Sequence, residues 1–165
     1  MCTVQTQTAD HCLYRNPKAE DGEPFDAESF DYILLDAPCS ALGIRPRLTQ
    51  HTSLKELQRT ARYQRDFMDT AVRLLKPGGS LVFSTCTISP MENEGNVRYM
   101  LDAHAEMRLA GQEPRIGGHG LVGEGLLTEA EAGMVQRFTP STVGDVQTPG
   151  FFIAKFVKSG EQHRG

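Results

Sequence analysis

Phe30-Asp31-Tyr32-Ile33-Leu34-Leu35-Asp36 is a short apolar run, and Ala37-Pro38-Cys39-Ser40 stops it. A run of this length predicts a strand buried on both faces of a parallel sheet. Pro38 cannot donate to a ladder and ends the strand. Further along, Ser53-Leu54-Lys55-Glu56 fits a capping box, in which the Ser hydroxyl and the Glu carboxylate satisfy open backbone N–H groups. Leu54, Leu57, Ala61, Met68, Ala71, Val72 and Leu75 then fall on one stripe at helical spacing, with Arg59, Arg62 and Arg65 mostly off it. Pro77-Gly78-Gly79 breaks the helix. Ser80-Leu81-Val82-Phe83-Ser84-Thr85 is a second buried strand, ending at Cys86. Strand, helix, strand in this order is a βαβ unit with a right-handed crossover.

Around this unit the pattern is weaker. Ser89-Pro90-Met91-Glu92 predicts a second helix start, with Ser as cap, Pro at the first position and Glu at the third. Val97, Met100 and Leu101 give that helix its apolar stripe. Residues 111–127 hold six Gly and Pro114 and predict a loop, and Thr128-Glu129-Ala130-Glu131 caps a short helix. Phe151-Phe152-Ile153-Ala154-Lys155-Phe156-Val157 is the last clear strand. Residues 1–29 are polar and acidic, carry Pro17 and Pro24, and predict a loose arm.

At 165 residues the chain has room for one domain. No apolar run approaches the ~20 residues of a membrane span, and the first residues are neither basic nor apolar, so no secretory leader is expected. Cys2, Cys12, Cys39 and Cys86 form no C-x-x-C pair and the five His are scattered, so no metal site is expected. Such cysteines predict reduced thiols in the cytoplasm, or in the nucleus. Nothing in the pattern fixes an oligomeric state.

The net charge of −4 argues mildly against nucleic acid, but it hides an asymmetry. Residues 40–65 carry Arg45, Arg47, Lys55, Arg59, Arg62 and Arg65 against Glu56 alone, while residues 1–36 and 92–150 are acidic. Phosphate binding depends on local Lys and Arg, not on the total. A solvated helix face is the plainer explanation of the same segment.

In open parallel sheets, ligands bind beyond the carboxyl ends of the strands. Cys39 and Cys86 both lie there, on strands expected to be neighbours about 4.8 Å apart. Cys86 also precedes the predicted helix cap by three residues, where a helix N-terminus favours the nucleophilic thiolate. Asp36 adds a carboxylate for proton handling or hydrogen bonding. A single strand-end Cys is usually packing. Two of them with a nearby Asp point to chemistry.

Asp36-Ala37-Pro38-Cys39-Ser40, Lys76-Pro77-Gly78-Gly79, Thr85-Cys86-Thr87 and Gly150-Phe151-Phe152-Ile153-Ala154 occur in order and at suitable spacing. Together they resemble the catalytic domain of the Nop/Sun family of RNA cytosine-5 methyltransferases, over about Phe30 to Lys158, with residues 159–165 as a tail. Ile116-Gly117-Gly118 and Arg137-Phe138-Thr139-Pro140-Ser141 are most similar to the branch that carries an N-terminal PUA domain and methylates tRNA.

The resemblance implies an α/β, Rossmann-like, S-adenosylmethionine-dependent methyltransferase fold acting on RNA, with tRNA as the favoured class. It implies Cys86 as the nucleophile that adds to cytosine carbon 6. Asp36 would contact both the pyrimidine and the cofactor, and Cys39 would help release the product. The target base must be unstacked to reach such a site, and Arg45 and Arg47 become candidate RNA contacts. Neither a metal nor a membrane is implied.

Two small departures are Ala41, where the family usually has Gly, and Pro149, where many members have Asp. A larger one is that residues 1–29 hold a single Gly, Gly22, and no Cys-Ala-Ala-Pro-Gly-Gly-Lys-like donor loop. The expected fold is therefore truncated at its N-terminal, cofactor half, with weak donor binding by this chain alone. Gly118, Gly120 and Gly123 match G-x-G-x-x-G, but no strand precedes them, so a loop bordering the site is expected. Two other classes stay open: an impaired fragment that only binds RNA or a partner, and a thiol redox protein using Cys39 and Cys86.

Overall fold

The computed structural model describes residues 25–44, 52–140 and 148–160. The elements are β1 (Phe30–Asp36), α1 (Leu54–Leu74), β2 (Leu75–Thr85), α2 (Glu94–Ala103), β3 (Met107–Ala110), α3 (Glu129–Ala132), β4 (Gln136–Phe138) and β5 (Phe151–Lys158). The sheet order is β1-β2-β5-β3, with β4 pairing the Phe151–Ile153 end of β5. The β1 and β2 strands are parallel neighbours, as the βαβ pattern predicts, and β5 runs antiparallel to β2.

Alternation along the strands builds the core. Ile33 and Leu35 of β1, Leu81 and Phe83 of β2, and Phe152, Ala154 and Phe156 of β5 are buried with Met68, Ala71 and Val72 of α1 and Val97 and Met100 of α2. Each large side chain in such a cluster contributes about 1.5–3 kcal/mol by leaving water. The first strand is not buried on both faces as its apolar run predicts: on its alternate positions Tyr32 is 74% and Leu34 44% exposed, because no described element packs over that face.

The Ser53 and Glu56 capping box forms with both of its bonds, and so does the Thr128 and Glu131 box. Leu54 stays exposed, and Gln64 takes a buried place on the stripe. The first helix ends at Leu74, three residues before Pro77, and Leu75 is already strand. The cause lies in the sheet: Phe30 pairs with Leu75 and Tyr32 with Ser80, so Lys76-Pro77-Gly78-Gly79 bulges within β2. Gly78 at φ 80° supplies the left-handed step.

The second helix is also displaced. It starts at Glu94 with Asn93 as its cap residue, not at Pro90. The Glu92 carboxylate bonds Ser40 rather than turning back on Ser89. Cys86 therefore lies seven positions before the cap residue, not the three that the sequence predicts.

Of the predicted arm, residues 1–24 lie outside the described residues. Residues 25–29 are held in place. Phe25 packs edge-on to Phe30 at 5.0 Å, and Glu28 accepts from Lys158 Nζ at 3.1 Å. Lys158 is buried and donates also to the Val72 and Leu75 carbonyls, closing the C-terminal end of α1.

Candidate active site

In the parallel pair, Asp36 is in register with Ser84, so the chain leaves both strands at one end of the sheet. Ala37 N–H donates to the Ser84 carbonyl at 3.2 Å, and Gly43 N–H donates to the Cys86 carbonyl at 3.0 Å. These bonds hold the loop after β1 over the loop after β2. Ala41 adopts φ 56°, the left-handed region that the family's usual Gly occupies more easily. Gly43 lies against Gly150 so closely that a Cβ would sit 2.3 Å from the Gly150 carbonyl oxygen.

The result is that Cys39 and Cys86 face one another, with Sγ atoms 3.2 Å apart. Both are free thiols, half-buried. Burial, and then the hydrogen bond with Cys86, push the Cys39 thiol up to about 12. Cys39 thus keeps its proton near neutral pH. Asp36 accepts from Ser84 Oγ at 3.0 Å beside the pair. All three candidate catalytic residues come together at one strand end.

The raised Cys39 value has a stability consequence. Its folded value lies above the ordinary 9.0 of a free thiol. The unfolded chain loses this proton first, so the contribution is fully present below pH 9.0 and is lost as pH rises towards about 12. Denaturation midpoints of the wild type are expected to fall more steeply above pH 9 than those of Cys39→Ala. Parallel curves for the two proteins would contradict the assignment.

Beneath the two cysteine loops lies a buried polar cluster. Glu92 Oε2 accepts from Ser40 N–H at 2.9 Å, and Glu92 Oε1 from Ser40 Oγ at 2.6 Å. Gln64 Nε2 donates to the Pro38 carbonyl at 2.8 Å and to Glu92 at 3.2 Å. Asn96 Nδ2 donates to Gln64 Oε1 at 2.7 Å. On the Cys86 side, Asn93 bonds Thr85 Oγ1 and the Thr87 carbonyl. Sequence reasoning reads Glu92 as part of a capping box and Ser40, Thr85 and Thr87 only as members of the motifs around the two cysteines, and it misses Gln64, Asn93 and Asn96. A polar residue on an apolar stripe, Gln64, is the signal that could have found the cluster.

The basic segment divides. Arg45 and Arg47 lie outside the described residues. Arg59 and Arg62 are exposed and, with Ser40, Tyr63 and the carboxylates Glu56 and Asp66, line an open groove of about 740 Å³ next to the Cys39 loop. Arg65 is structural: its Nε donates to Asn96 Oδ1 at 3.0 Å and its guanidinium lies 4.6 Å from the centre of the Tyr99 ring. The glycines at 118, 120 and 123 belong to a packed loop. Gly118 bridges Arg137, and a Cβ on Gly120 would sit 2.6 Å from Val135. That loop reaches the site region through Leu121 N–H, which donates to Glu94 at 3.0 Å.

Among the described residues no helix is long and apolar enough to cross a membrane, and no group of three or more His, Cys, Asp or Glu is arranged to hold a metal ion.

The family model described as 16S rRNA methyltransferase RsmB/F matches residues 4–157, a span that begins ahead of Phe30. The rRNA (cytosine-C(5))-methyltransferase NOP2C of Arabidopsis thaliana is 49% identical over 84% of this chain and 24% of its own length. The mouse tRNA (cytosine(72)-C(5))-methyltransferase NSUN6 is 44% identical over 84% of this chain and 33% of its own length. The crystal structure of NSun6 from Pyrococcus horikoshii with SFG superposes with a TM-score of 0.64 at 46% identity, covering 78% of this chain and 30% of that one. The chain thus spans between about a quarter and a third of the length of these relatives. Its Rossmann-like methyltransferase sheet, its paired strand-end cysteines and the extent of the family match lead to one conclusion: the chain belongs to the RsmB/F family of methyltransferases.

Proposed function

We propose that the protein methylates carbon 5 of cytosine in RNA through a covalent bond to Cys86. The observation that carries this reading is the 3.2 Å separation of the Cys39 and Cys86 sulfurs beside Asp36. Carbon 5 of cytosine is a poor nucleophile. A Cys86 thiolate adding to carbon 6 forms an S–C6 bond and places an electron pair on carbon 5, which then accepts the methyl group. S-adenosylmethionine, when bound, would supply that methyl as an electrophile, its S–CH3 bonding pair staying on sulfur so that the donor departs as a neutral thioether. Loss of the carbon 5 proton to a base re-forms the ring double bond, breaks S–C6 and returns Cys86 as a thiolate. Cys39 keeps its proton near neutral pH and lies within hydrogen-bonding distance of the departing sulfur. That supports its role in product release.

Asp36 stands at the carboxyl end of β1, and Leu34 and Tyr32 leave an exposed strand face behind it. Asp36 would hold the donor there and hydrogen-bond the pyrimidine. For the RNA, Arg45 and Arg47 are proposed as phosphate contacts, and the exposed Arg59 and Arg62 extend the same basic segment along the groove. The relatives are named for rRNA and for tRNA. The wording at residues 116–118 and 137–141 favours tRNA. A thiolate mechanism also suits the reducing cytoplasm or nucleus.

The test is methyl transfer by the full-length protein from labelled S-adenosylmethionine to transcripts of tRNA and of small-subunit rRNA. Label at carbon 5 of cytosine is expected, with tRNA preferred. Label on another base, or none in either RNA while the protein binds the donor, would overturn the reading.

A further inference from the structure

We infer that Glu92 is a positioning residue, which sets Cys39 against Cys86 by holding the backbone on either side of Cys39. The inference rests on the release role proposed above for Cys39.

Glu92 is fully buried, and among the described residues no Lys, Arg or His pairs with it. A carboxylate in such a place needs donors, and the ones it has are informative. Two come from Ser40, the residue after Cys39: its N–H on Oε2 and its hydroxyl on Oε1. A third is Gln64 Nε2, which also donates to the carbonyl of Pro38, the residue before Cys39. One cluster therefore pins both neighbours of Cys39.

The same cluster reaches the other cysteine. Ser40 Oγ lies 2.8 Å from Thr87 Oγ1, and Thr87 follows Cys86 directly. With an ionised Glu92 the directions are fixed. The carboxylate only accepts, so the Ser40 hydroxyl proton points to Glu92. The Thr87 hydroxyl must then donate to Ser40 Oγ, and Thr87 Oγ1 accepts from Ser89 N–H at 3.2 Å. Ser89, Thr87, Ser40 and Glu92 form one directed chain that couples the two cysteine loops. Charge-assisted bonds of this kind are about twice as strong as neutral ones.

Glu92→Gln keeps the shape but removes the charge and reverses the chain. With the carboxamide oxygen on the Ser40 and Gln64 N–H donors, its NH2 group donates to Ser40 Oγ and the Ser40 hydroxyl turns to Thr87, so the charge-assisted bonds become neutral ones. Ser40→Ala removes the hydroxyl link while leaving the Ser40 N–H bond. Both variants are expected to loosen Cys39 without removing Cys86.

The experiment uses the full-length protein with an RNA substrate and S-adenosylmethionine. It reads turnover, the fraction of enzyme in an SDS-stable adduct on unmodified RNA, and the rate of trapping by 5-azacytidine RNA. Cys39→Ala serves as the reference. For Glu92→Gln and Ser40→Ala, turnover should fall about tenfold and the adduct fraction rise about tenfold, with trapping within about twofold of wild type. A purely structural lesion would lower adduct, trapping and turnover together, and that result would overturn the inference. So would wild-type turnover in both variants. Should Glu92→Gln fail to fold, Ser40→Ala decides alone by the same criteria. Adduct accumulation in Cys39→Ala but in neither other variant removes Glu92's role alone. No accumulation in Cys39→Ala removes the release role and this inference with it.

Discussion

Cys86→Ala is expected to abolish the SDS-stable complex with 5-azacytidine RNA and to lower methyl transfer by a factor on the order of 10⁴–10⁶. The size follows from the chemistry. Without the S–C6 bond no electron pair is delivered to carbon 5, and no neighbouring group replaces it. The nearest substitute is Cys39, whose sulfur lies 3.2 Å from Cys86. Its thiol is held at about 12 by burial and by the bond to Cys86, so near neutral pH it carries almost no thiolate. Replacing Cys86 removes one of those causes but leaves the burial. Cys39→Ala should therefore still be trapped by 5-azacytidine RNA, whereas Cys86→Ala should not. Equal trapping by wild type and Cys86→Ala would rule Cys86 out, and trapping lost only in Cys39→Ala would exchange the two roles. A melting curve for each variant separates lost chemistry from lost fold.

The βαβ unit was legible because its signals are local and repeated. A strand needs an apolar run such as Ile33-Leu34-Leu35, although its burial is one-sided, and α1 needs a stripe and a cap, all within a few residues of one another. From those signals the meeting of Cys39 and Cys86 could be read, since parallel neighbours must end together. Three features were not legible, each for a physical reason. Met107–Ala110 and Gln136–Phe138 are strands of four and three residues that pair with β5, so nothing local marks them. The start of α2 was misplaced because Ser89-Pro90-Met91-Glu92 has every feature of a cap. Only the fold shows that Ser40, fifty-two positions earlier, takes the Glu92 carboxylate. The extension of β2 back to Leu75 depends on a bulge opposite Phe30, which Pro77-Gly78-Gly79 reads locally as a simple stop. In each case a long-range partner overrides a local preference, and the Glu92 case falls beneath the site itself.

The second large effect concerns stability. Glu94 is fully buried, and its two oxygens accept from Arg137 Nη1 at 2.9 Å. Arg137 has a side chain only 10% exposed and also donates through Nη2 to the Ile88 carbonyl. Glu94 accepts in addition from Leu121 N–H. The pair thus joins the start of α2, the segment after Cys86, strand β4 and the glycine loop. Removing one partner leaves a charge in a dry interior, which costs about 3–5 kcal/mol. Glu94→Met and Arg137→Met are each expected to lower the melting midpoint by roughly 10 °C for a domain of this size. Attraction between buried charges largely repays their desolvation and adds little beyond it. Glu94→Met with Arg137→Met should therefore recover much of either loss. It should fall short of wild type, because Leu121 N–H and the Ile88 carbonyl each lose a partner. Melting curves of the two single variants and the double decide between the possibilities. Single losses below about 1 kcal/mol would mean that water reaches the pair. A double-variant loss equal to the sum of the single losses would mean that the two residues act independently, and that Glu94 is held by its backbone donor rather than by Arg137.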